Sequence, residues 1–172
     1  MWGFSSGGKA VTSPDQKSVR SSIRHYLMRH TTLSLATCYG SQAWSTDLFY
    51  ASDDSCQLYF VSDGTTRHCQ YIAGNPQVSA SISGEFSDWG AIKGLQLDGV
   101  AGIVSDLDRG GVIEMYLAKF PSLQRLFGAP ENDQERMIVA QLSESHFYRI
   151  SPKWIRLIDN SKGFGHKEEV TF

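Results

Sequence analysis

The chain of 172 residues has 41% hydrophobic and 20% charged residues, a composition typical of one globular domain. Sixteen basic and eighteen acidic residues give a net charge of −2, which argues against a partner such as nucleic acid or an anionic membrane. The three cysteines form no close pair, which argues against a disulfide framework. They also lack the CxxC-type spacing of structural zinc sites, which argues against such a site. Sixteen glycines and 12% aromatic residues favour many short strands joined by tight turns.

The N-terminal residues 1–13 contain no apolar run long enough for a signal sequence or a membrane span. We therefore expect a flexible Gly/Ser-rich arm and a cytoplasmic protein. The sequence Ser13-Pro14-Asp15 predicts the start of a helix, because it supplies a cap hydroxyl, a proline at the first helical position and an acidic first turn. The apolar face of this helix is predicted at Val19, Ile23, Tyr26, Leu27 and His30.

Short β-branched and aromatic runs from Thr31 onward predict a β-meander. Thr65 or Thr66 is expected to cap a short helix that runs through Ile72 and ends at Gly74-Asn75-Pro76. Strands are predicted on both sides of it, at Thr32–Tyr39, Ala43–Ala51, Gln57–Val61, Val78–Ser83 and Ile92–Val104. Glycines in the last of these strands favour bends or bulges.

The second half of the chain mixes helices with strands. Apolar spacing predicts a helix over Val112–Phe120, which Pro121 interrupts, and a short helical piece over Ser122–Phe127. A loop (Gly128–Glu135), modest strand potential (Met137–Leu142) and two final strands (His146–Ile150 and Trp154–Ile158) follow. The pattern predicts a mainly β (α+β) domain over residues 14–160, an antiparallel barrel with a few peripheral helices, and a polar C-terminal tail over residues 161–172.

The most informative segment follows the apolar strand that ends at Val61. Ser62, Thr65, Thr66, Arg67 and His68 place three hydroxyls, an arginine and a histidine at the start of a predicted helix. Such a turn can bind phosphate, because the helix N-terminus attracts anions and an arginine can donate two hydrogen bonds at once. The alternative is a threonine cap beside a solvated arginine.

The run over residues 60–76, FVSDGTTRHCQYIAGNP, resembles the pyridoxamine 5′-phosphate oxidase-like split β-barrel flavoproteins, in which F-Y-T-N-x-x-S-R-K precedes a helix and N-P. Thr66-Arg67-His68 falls on the Ser-Arg-Lys triplet with no gap before Asn75-Pro76, and the order of elements is similar over residues 15–160. Lys119-Phe120-Pro121 and the GFG sequence at 163–165 resemble motifs of an uncharacterised bacterial branch of that superfamily.

The resemblance implies an antiparallel split barrel that binds FMN in a groove between the two chains of a homodimer. Carried over by position, Val61 and Ser62 match the strand end beside the flavin and its phosphate, and Arg67 matches the phosphate-binding arginine. His68 stands in place of a lysine. The remaining implied cofactor-binding residues lie on two other strands, Thr46, Asp47 and Leu48 on the second and Lys93 and Gln96 on the long later one.

This chain also departs from the oxidase pattern. Thr46 and Ala51 occupy the positions of an arginine and a lysine, and Gly94 occupies that of a ring-contacting glutamine. Since each charge-assisted hydrogen bond contributes about 1.5–3 kcal/mol, we expect weaker FMN binding. The sequence therefore predicts an FMN-dependent oxidoreductase of unknown substrate rather than a pyridoxamine-phosphate oxidase, or else a flavin-binding or flavin-sensing protein without catalysis.

Three residues leave further alternatives open. A haem-binding branch of the superfamily has a similar G-F-G near its end, so His166 or His68 could be an axial haem ligand. Asp47, in an otherwise apolar strand, is either an acid at a site entrance or a residue of an exposed edge or a dimer salt bridge. Cys69, in the first helical turn, is either reactive or a small buried residue.

Overall fold

A computed structural model describes residues 16–172. In this part of the chain eight strands form one antiparallel sheet, in which neighbouring strands follow the order β2-β1-β5-β6-β7-β4-β3, and β8 pairs with β7. The strands are β1 (Thr32–Tyr39), β2 (Gln42–Phe49), β3 (Ala51–Ser52), β4 (Leu58–Ser62), β5 (Gln77–Ser83), β6 (Lys93–Ile103), β7 (His146–Asp159) and β8 (Lys167–Thr171). The sheet curls into a half-barrel, which confirms the predicted α+β class with antiparallel strands.

Five α-helices surround the sheet within residues 16–172: α1 (Gln16–Arg29), α2 (Arg67–Gly74), α3 (Asp106–Lys119), α4 (Pro121–Gly128) and α5 (Asp133–Glu144). The predicted cap at Ser13 and the arm over residues 1–13 lie outside the described residues. Each of the five helices is too short or too polar to cross a membrane.

The core lies on the concave side of the sheet. Alternate residues of β1, β5, β6 and β7 point inward, as the period of two in a half-buried strand requires. Helix α1 packs its predicted face, Val19, Ile23, Tyr26 and Leu27, against them. The inward strand residues include Leu33, Leu35, Ala80, Ile82, Leu95, Leu97, Ile150, Ile155 and Leu157.

The pairing of β6 with β7 contains a bulge. Asp98 pairs with Trp154 and Gly99 pairs with Pro152, so Lys153 is an extra residue on β7. Proline has no N–H to donate to the ladder, and Pro152 is tolerated inside the strand because it lies at the bulge, where the regular ladder is interrupted. Gly99 packs so closely against the main chain of Ser151 that a Cβ atom would collide with the carbonyl oxygen.

Three elements of the second half differ from the sequence prediction. Helix α3 begins at Asp106 rather than Val112, because Ser105 caps it by accepting a hydrogen bond from the Asp108 N–H at 3.3 Å. Met137–Leu142, predicted to have strand potential, lies inside helix α5, which Asn132 caps in the same way. The two predicted final strands are one continuous strand, β7, and the predicted tail contains strand β8, paired with it.

Lys119 connects helix α3 to the end of helix α1. Its Nζ donates to the Leu27 carbonyl oxygen at 3.0 Å and lies 4.0 Å from the centre of the Tyr50 ring. The Tyr50 hydroxyl donates to the same carbonyl at 2.9 Å. Burial lowers the pKa of Lys119 to about 8. Lys119, the first residue of the K-F-P motif, therefore stabilises the C-terminus of α1, where cations are favourable.

Candidate cofactor site

The turn between β4 and α2 is organised by Asp63. Its Oδ1 accepts hydrogen bonds from the Thr65 N–H at 2.7 Å and from the Thr65 hydroxyl at 2.8 Å, and these bonds lower the pKa of Asp63. The Thr66 hydroxyl donates to the Asp63 carbonyl oxygen at 2.8 Å. Thr66 is the N-cap of α2 as predicted, but its side chain accepts no hydrogen bond from the first helical turn. The N-terminus of α2 thus lacks a side-chain cap from this residue.

His68 faces the core rather than solvent. It is only 6% exposed, and its ring lies 6.1 Å from the centre of the Phe60 ring. Its Nε2 is 2.8 Å from the Ser62 hydroxyl and 3.2 Å from the Thr66 hydroxyl. His68 therefore holds these two hydroxyls from inside the barrel, and its ring is buried whereas the neighbouring Arg67 side chain is exposed.

Arg67 lies on the opposite, exposed side of the same helical turn. Its guanidinium stacks over the indole ring of Trp44 on β2, with Cζ 4.3 Å from the ring centre. No carboxylate among residues 16–172 forms an ion pair with it, so its donors remain available for an anion. The Tyr71 hydroxyl donates to the Gln42 side chain at 2.8 Å, which holds α2 against β2.

These residues fit a phosphate group. The Arg67 guanidinium and the start of α2, which has no side-chain cap, are donors of the kind that bind phosphate oxygens, whereas the Thr65 and Thr66 hydroxyls already donate to Asp63. The flat Trp44–Arg67 pair lies next to them and offers a stacking surface. The Asp63 carboxylate, the one nearby anion of this turn, is occupied by Thr65.

Strand β2 separates the three residues predicted on it. Thr46 and Leu48 are half-buried, and Leu48 packs against the core. Asp47 is exposed on the other face, where the Ser34 hydroxyl donates to its Oδ1 at 2.5 Å. Since β2 lies at one end of the sheet order, Asp47 is a residue of an exposed edge, and its side chain does not face Thr46 and Leu48.

Lys93 and Gln96 lie far from Arg67 within one chain. Ser62 pairs with His146 at the start of β7, whereas Lys93 pairs with Asp159 at the end of the same 14-residue strand. Gln96 is exposed on the convex face of the sheet. A single chain therefore brings the turn from Ser62 to His68 together with Thr46 and Leu48, whereas the Val61 side chain points to the opposite face of β4 and Lys93 and Gln96 lie towards the other end of β7.

Lys93 instead forms an ion pair with Asp159, at 2.7 Å between Nζ and Oδ2. The Asp159 side chain is only 3% exposed, and its Oδ1 also accepts from the Ser161 hydroxyl at 2.6 Å. Burial raises the pKa of Asp159, but the hydrogen bonds from Lys93 and Ser161 outweigh it, and the pKa is lowered from 3.8. Asp159 therefore stabilises the folded chain as a carboxylate.

We expect Asp159→Asn to lower the free energy of unfolding at pH 7 by about 1–2 kcal/mol, since it removes a charge-assisted hydrogen bond from a half-exposed lysine. Because the folded-state pKa lies below 3.8, the contribution is present above that pH and is lost as pH falls through the folded-state value. Urea unfolding at pH 7 and pH 3 should show the difference from the parent protein shrinking at low pH. Asp98→Asn, at an exposed position of β6, is the control, and equal stability of Asp159→Asn and parent at pH 7 would contradict the assignment.

In both histidines considered as haem ligands, the Nε2 atom already contacts another side chain of this protein. His166 Nε2 lies 3.1 Å from Glu168 Oε1, which also binds Lys162 Nζ at 2.9 Å. His68 Nε2 is held by hydroxyls as described above. Cys69 is 2% exposed; burial raises the pKa of its thiol, but hydrogen bonds with the side chains of His68, Thr66, Tyr148 and Ser62 outweigh burial and lower the pKa to about 7, so the residue is buried and its thiol is also acidified. In residues 16–172 no three His, Cys, Asp or Glu side chains lie close enough together to hold a metal ion.

The structure also reveals residues that the sequence analysis did not place at a site. One is Trp44 on β2, whose stacking on Arg67 depends on the packing of α2 against β2 and has no local sequence signal. Arg109 lines an apolar cavity under helices α3 to α5. The spacing of Ser105 and Asp108, which is typical of a helix start, could have placed Arg109 on a helix.

The curled antiparallel sheet with its helical excursion is the split-barrel fold, and solved structures share it. A heme binding protein from Mycobacterium smegmatis matches with a TM-score of 0.68 and 15% identity, over 94% of this chain and 60% of that one. HutZ, a heme storage protein from Vibrio cholerae, matches with a TM-score of 0.59 and 21% identity, over 77% of this chain and 88% of that one.

Sequence relatives are bacterial. A UPF0306 protein from Photorhabdus laumondii is 27% identical over 147 residues, which is 84% of this chain and 90% of the relative. A UPF0306 protein from Yersinia pestis is 24% identical over 146 residues, which is 84% of this chain and 88% of the relative. No family model matches the chain.

Proposed function

We propose that this protein binds FMN, with the phosphate at the N-terminus of α2 and the side chains of Ser62, Thr65, Thr66 and Arg67 around it. The observation that carries the proposal is Arg67, whose guanidinium is exposed, unpaired among the described carboxylates and stacked on Trp44 beside a helix start without a side-chain cap. Phosphate recognition needs such a donor set. His68 contributes indirectly, by holding the hydroxyls of Ser62 and Thr66.

In this proposal the protein acts as a homodimer, and the cofactor groove lies between its two chains. Lys93 and Gln96 support this part, because they lie at the other end of β7 from Ser62 and can approach the cofactor of a second chain only. The convex face around Gln96 carries small exposed side chains, among them Ser34, Ser79 and Ser81, which allow another sheet to approach closely.

The proposed activity is that of an FMN-dependent oxidoreductase. When bound, the flavin supplies the electron or hydride transfer. The chain itself holds the phosphate through Arg67, offers the Trp44 surface beside it, and lines the groove with Thr46 and Leu48. Flavin binding or sensing without turnover rests on the same site, since Thr46 and Ala51 provide no cation.

The test is a titration of the flavin-free protein with FMN, followed by quenching of flavin fluorescence and by gel filtration with light scattering. We expect saturable binding of one FMN per chain, a flavin absorbance band that elutes with the protein, and the mass of two chains. Turnover of NAD(P)H by the loaded protein would separate a reductase from a binding protein. Absence of saturable FMN binding would overturn the proposal.

Haem is the second candidate, favoured by the heme-binding and heme-storage proteins that share the fold. For either His68 or His166 to act as a ligand through Nε2, the bonds to the neighbouring hydroxyls or to Glu168 would have to break. Adding haem and recording the Soret band tests it: a band that is lost in His166→Ala or His68→Ala would favour haem over FMN.

A further inference from the structure

A cavity of about 300 Å³ lies on the outer side of the barrel, beneath the three consecutive helices α3, α4 and α5. Its floor is Val61 on β4 and Phe147 on β7. Because successive side chains of a strand point to opposite faces, Val61 faces this cavity while Phe60 and Ser62 face His68 and the core. The cavity is therefore separate from the phosphate site, although the two share β4.

The lining of this cavity is almost entirely apolar. Three aromatic rings, those of Tyr116, Phe127 and Phe147, are accompanied by the aliphatic side chains of Val61, Ile113, Leu117, Leu123 and Leu142. The cavity volume is about twice that of an engineered cavity that holds benzene, so it suits a ligand with roughly ten to twelve carbon atoms. Pockets of this size and character are typical of small-molecule sites.

Only one polar side chain of the lining is uncommitted within the described part of the chain. The Tyr116 hydroxyl donates to the Phe49 carbonyl oxygen at 3.2 Å, and the Ser143 hydroxyl donates to the Val139 carbonyl oxygen at 2.7 Å. Arg109, half-buried, forms no ion pair with any described carboxylate. Asp108, its neighbour, instead accepts a hydrogen bond from Ser105.

An apolar cavity with one free cation selects a particular ligand chemistry. A neutral hydrocarbon would leave Arg109 without a partner, whereas a cationic ligand would be repelled by it. A carboxylate matches the planar guanidinium with two parallel hydrogen bonds. The three aromatic rings favour a flat ligand body, because aromatic pairs gain energy beyond the area that they bury.

We propose that this cavity is a binding site for a bicyclic aromatic carboxylate, held by Arg109 at its acid group and by the helices α3 to α5 around its ring system. This site would bind a second ligand in addition to FMN. It does not depend on FMN, because none of the residues that line the cavity belongs to the proposed phosphate site.

The experiment uses the full chain without flavin and two fluorescent probes, 2-naphthoate and its neutral analogue 2-naphthol, titrated at pH 7. We expect saturable binding of 2-naphthoate at one site per chain. Arg109→Gln should weaken 2-naphthoate binding by about tenfold or more, the effect of losing one charge-assisted hydrogen bond. The same variant should bind 2-naphthol as the parent protein does, which also verifies that its cavity is folded.

Two further variants complete the test. Leu142→Trp, which fills the cavity, should abolish binding of both probes, and FMN binding of this variant is measured separately as a check on the rest of the fold. Arg136→Gln removes a charge that is paired with Asp133 on the exposed side of α5, so it should change neither affinity. The proposal is overturned by absence of saturable 2-naphthoate binding, by equal losses for both probes in Arg109→Gln, or by unchanged binding in Leu142→Trp.

Discussion

Replacing Arg67 with alanine is expected to weaken FMN binding by about ten- to a hundredfold, because a charge-assisted hydrogen bond contributes about 1.5–3 kcal/mol. The affected group is the guanidinium that stacks on Trp44 at 4.3 Å and has no carboxylate partner in residues 16–172. Its removal costs no ion pair with a described carboxylate and loses only the exposed stacking on Trp44, so stability should fall by no more than about 0.5–1 kcal/mol. Flavin fluorescence titration measures the affinity, and thermal unfolding measures the stability.

Two substitutions make this experiment specific. Arg67→Lys keeps the charge but loses the planar fork, so its affinity should lie between those of the parent and Arg67→Ala. Arg24→Ala, which removes a half-exposed arginine of α1 that is paired with Asp54, should bind FMN as the parent does. If Arg67→Ala and Arg24→Ala bound FMN equally well, the phosphate could not lie at α2.

The second large effect concerns stability. Gly99→Ala is expected to lower the free energy of unfolding by about 2–3 kcal/mol, the upper part of the range of about 1–3 kcal/mol found when an extra group is forced into a packed interior. The added Cβ would meet the main chain of Ser151 and Pro152 at the bulge, and main-chain atoms cannot rotate away as a side chain would. For a chain of this length the melting temperature should fall by roughly 4–12 °C.

Gly102 supplies the matched control on the same strand. A Cβ added there would meet no atom within 4 Å. Gly102→Ala should therefore leave the melting temperature unchanged or raise it, because alanine restricts the unfolded chain by about 0.4–1 kcal/mol. Equal melting temperatures for Gly99→Ala and Gly102→Ala would show that the bulge adapts without strain.

The sequence predicted best those elements whose start, end and buried face are encoded within a few neighbouring residues. Helix α2 begins after Thr66 and ends before Pro76 as predicted, since cap and stop signals act within a few residues. The alternation of Val78, Ala80 and Ile82 correctly identified β5 and its inward face. Helix α5 differs from the predicted loop and strand because Met137–Leu142 is a short apolar run that fits either a helix or a strand, and the Asn132 cap at its start decides for the helix.

The arrangement of the candidate site depends on contacts that no local pattern encodes. His68 follows Arg67 directly in sequence, yet one side chain is buried against Phe60 and the other is exposed on Trp44. Lys93 was placed at a cofactor by position alone, whereas its ion pair with Asp159 joins residues 66 positions apart. Strand β8 was not predicted, since within residues 16–172 it is held in the sheet by its pairing with β7, a contact that no local pattern shows.

Strand β7 sets the distance between the two predicted groups of cofactor-binding residues in one chain. It pairs with β4 at its beginning and with β6 along most of its length, and its ends carry the partners of Ser62 and Lys93. In the proposed homodimer, one chain would contact one cofactor through Ser62 and the other cofactor through Lys93. The length of β7 thus fixes the distance between these two residues within the chain. The extra residue Lys153 shifts the inward-facing positions of β7 from even-numbered residues (Tyr148, Ile150, Pro152) to odd-numbered ones (Ile155, Leu157, Asp159), so the bulge sets which residues of the strand reach the core on either side of it.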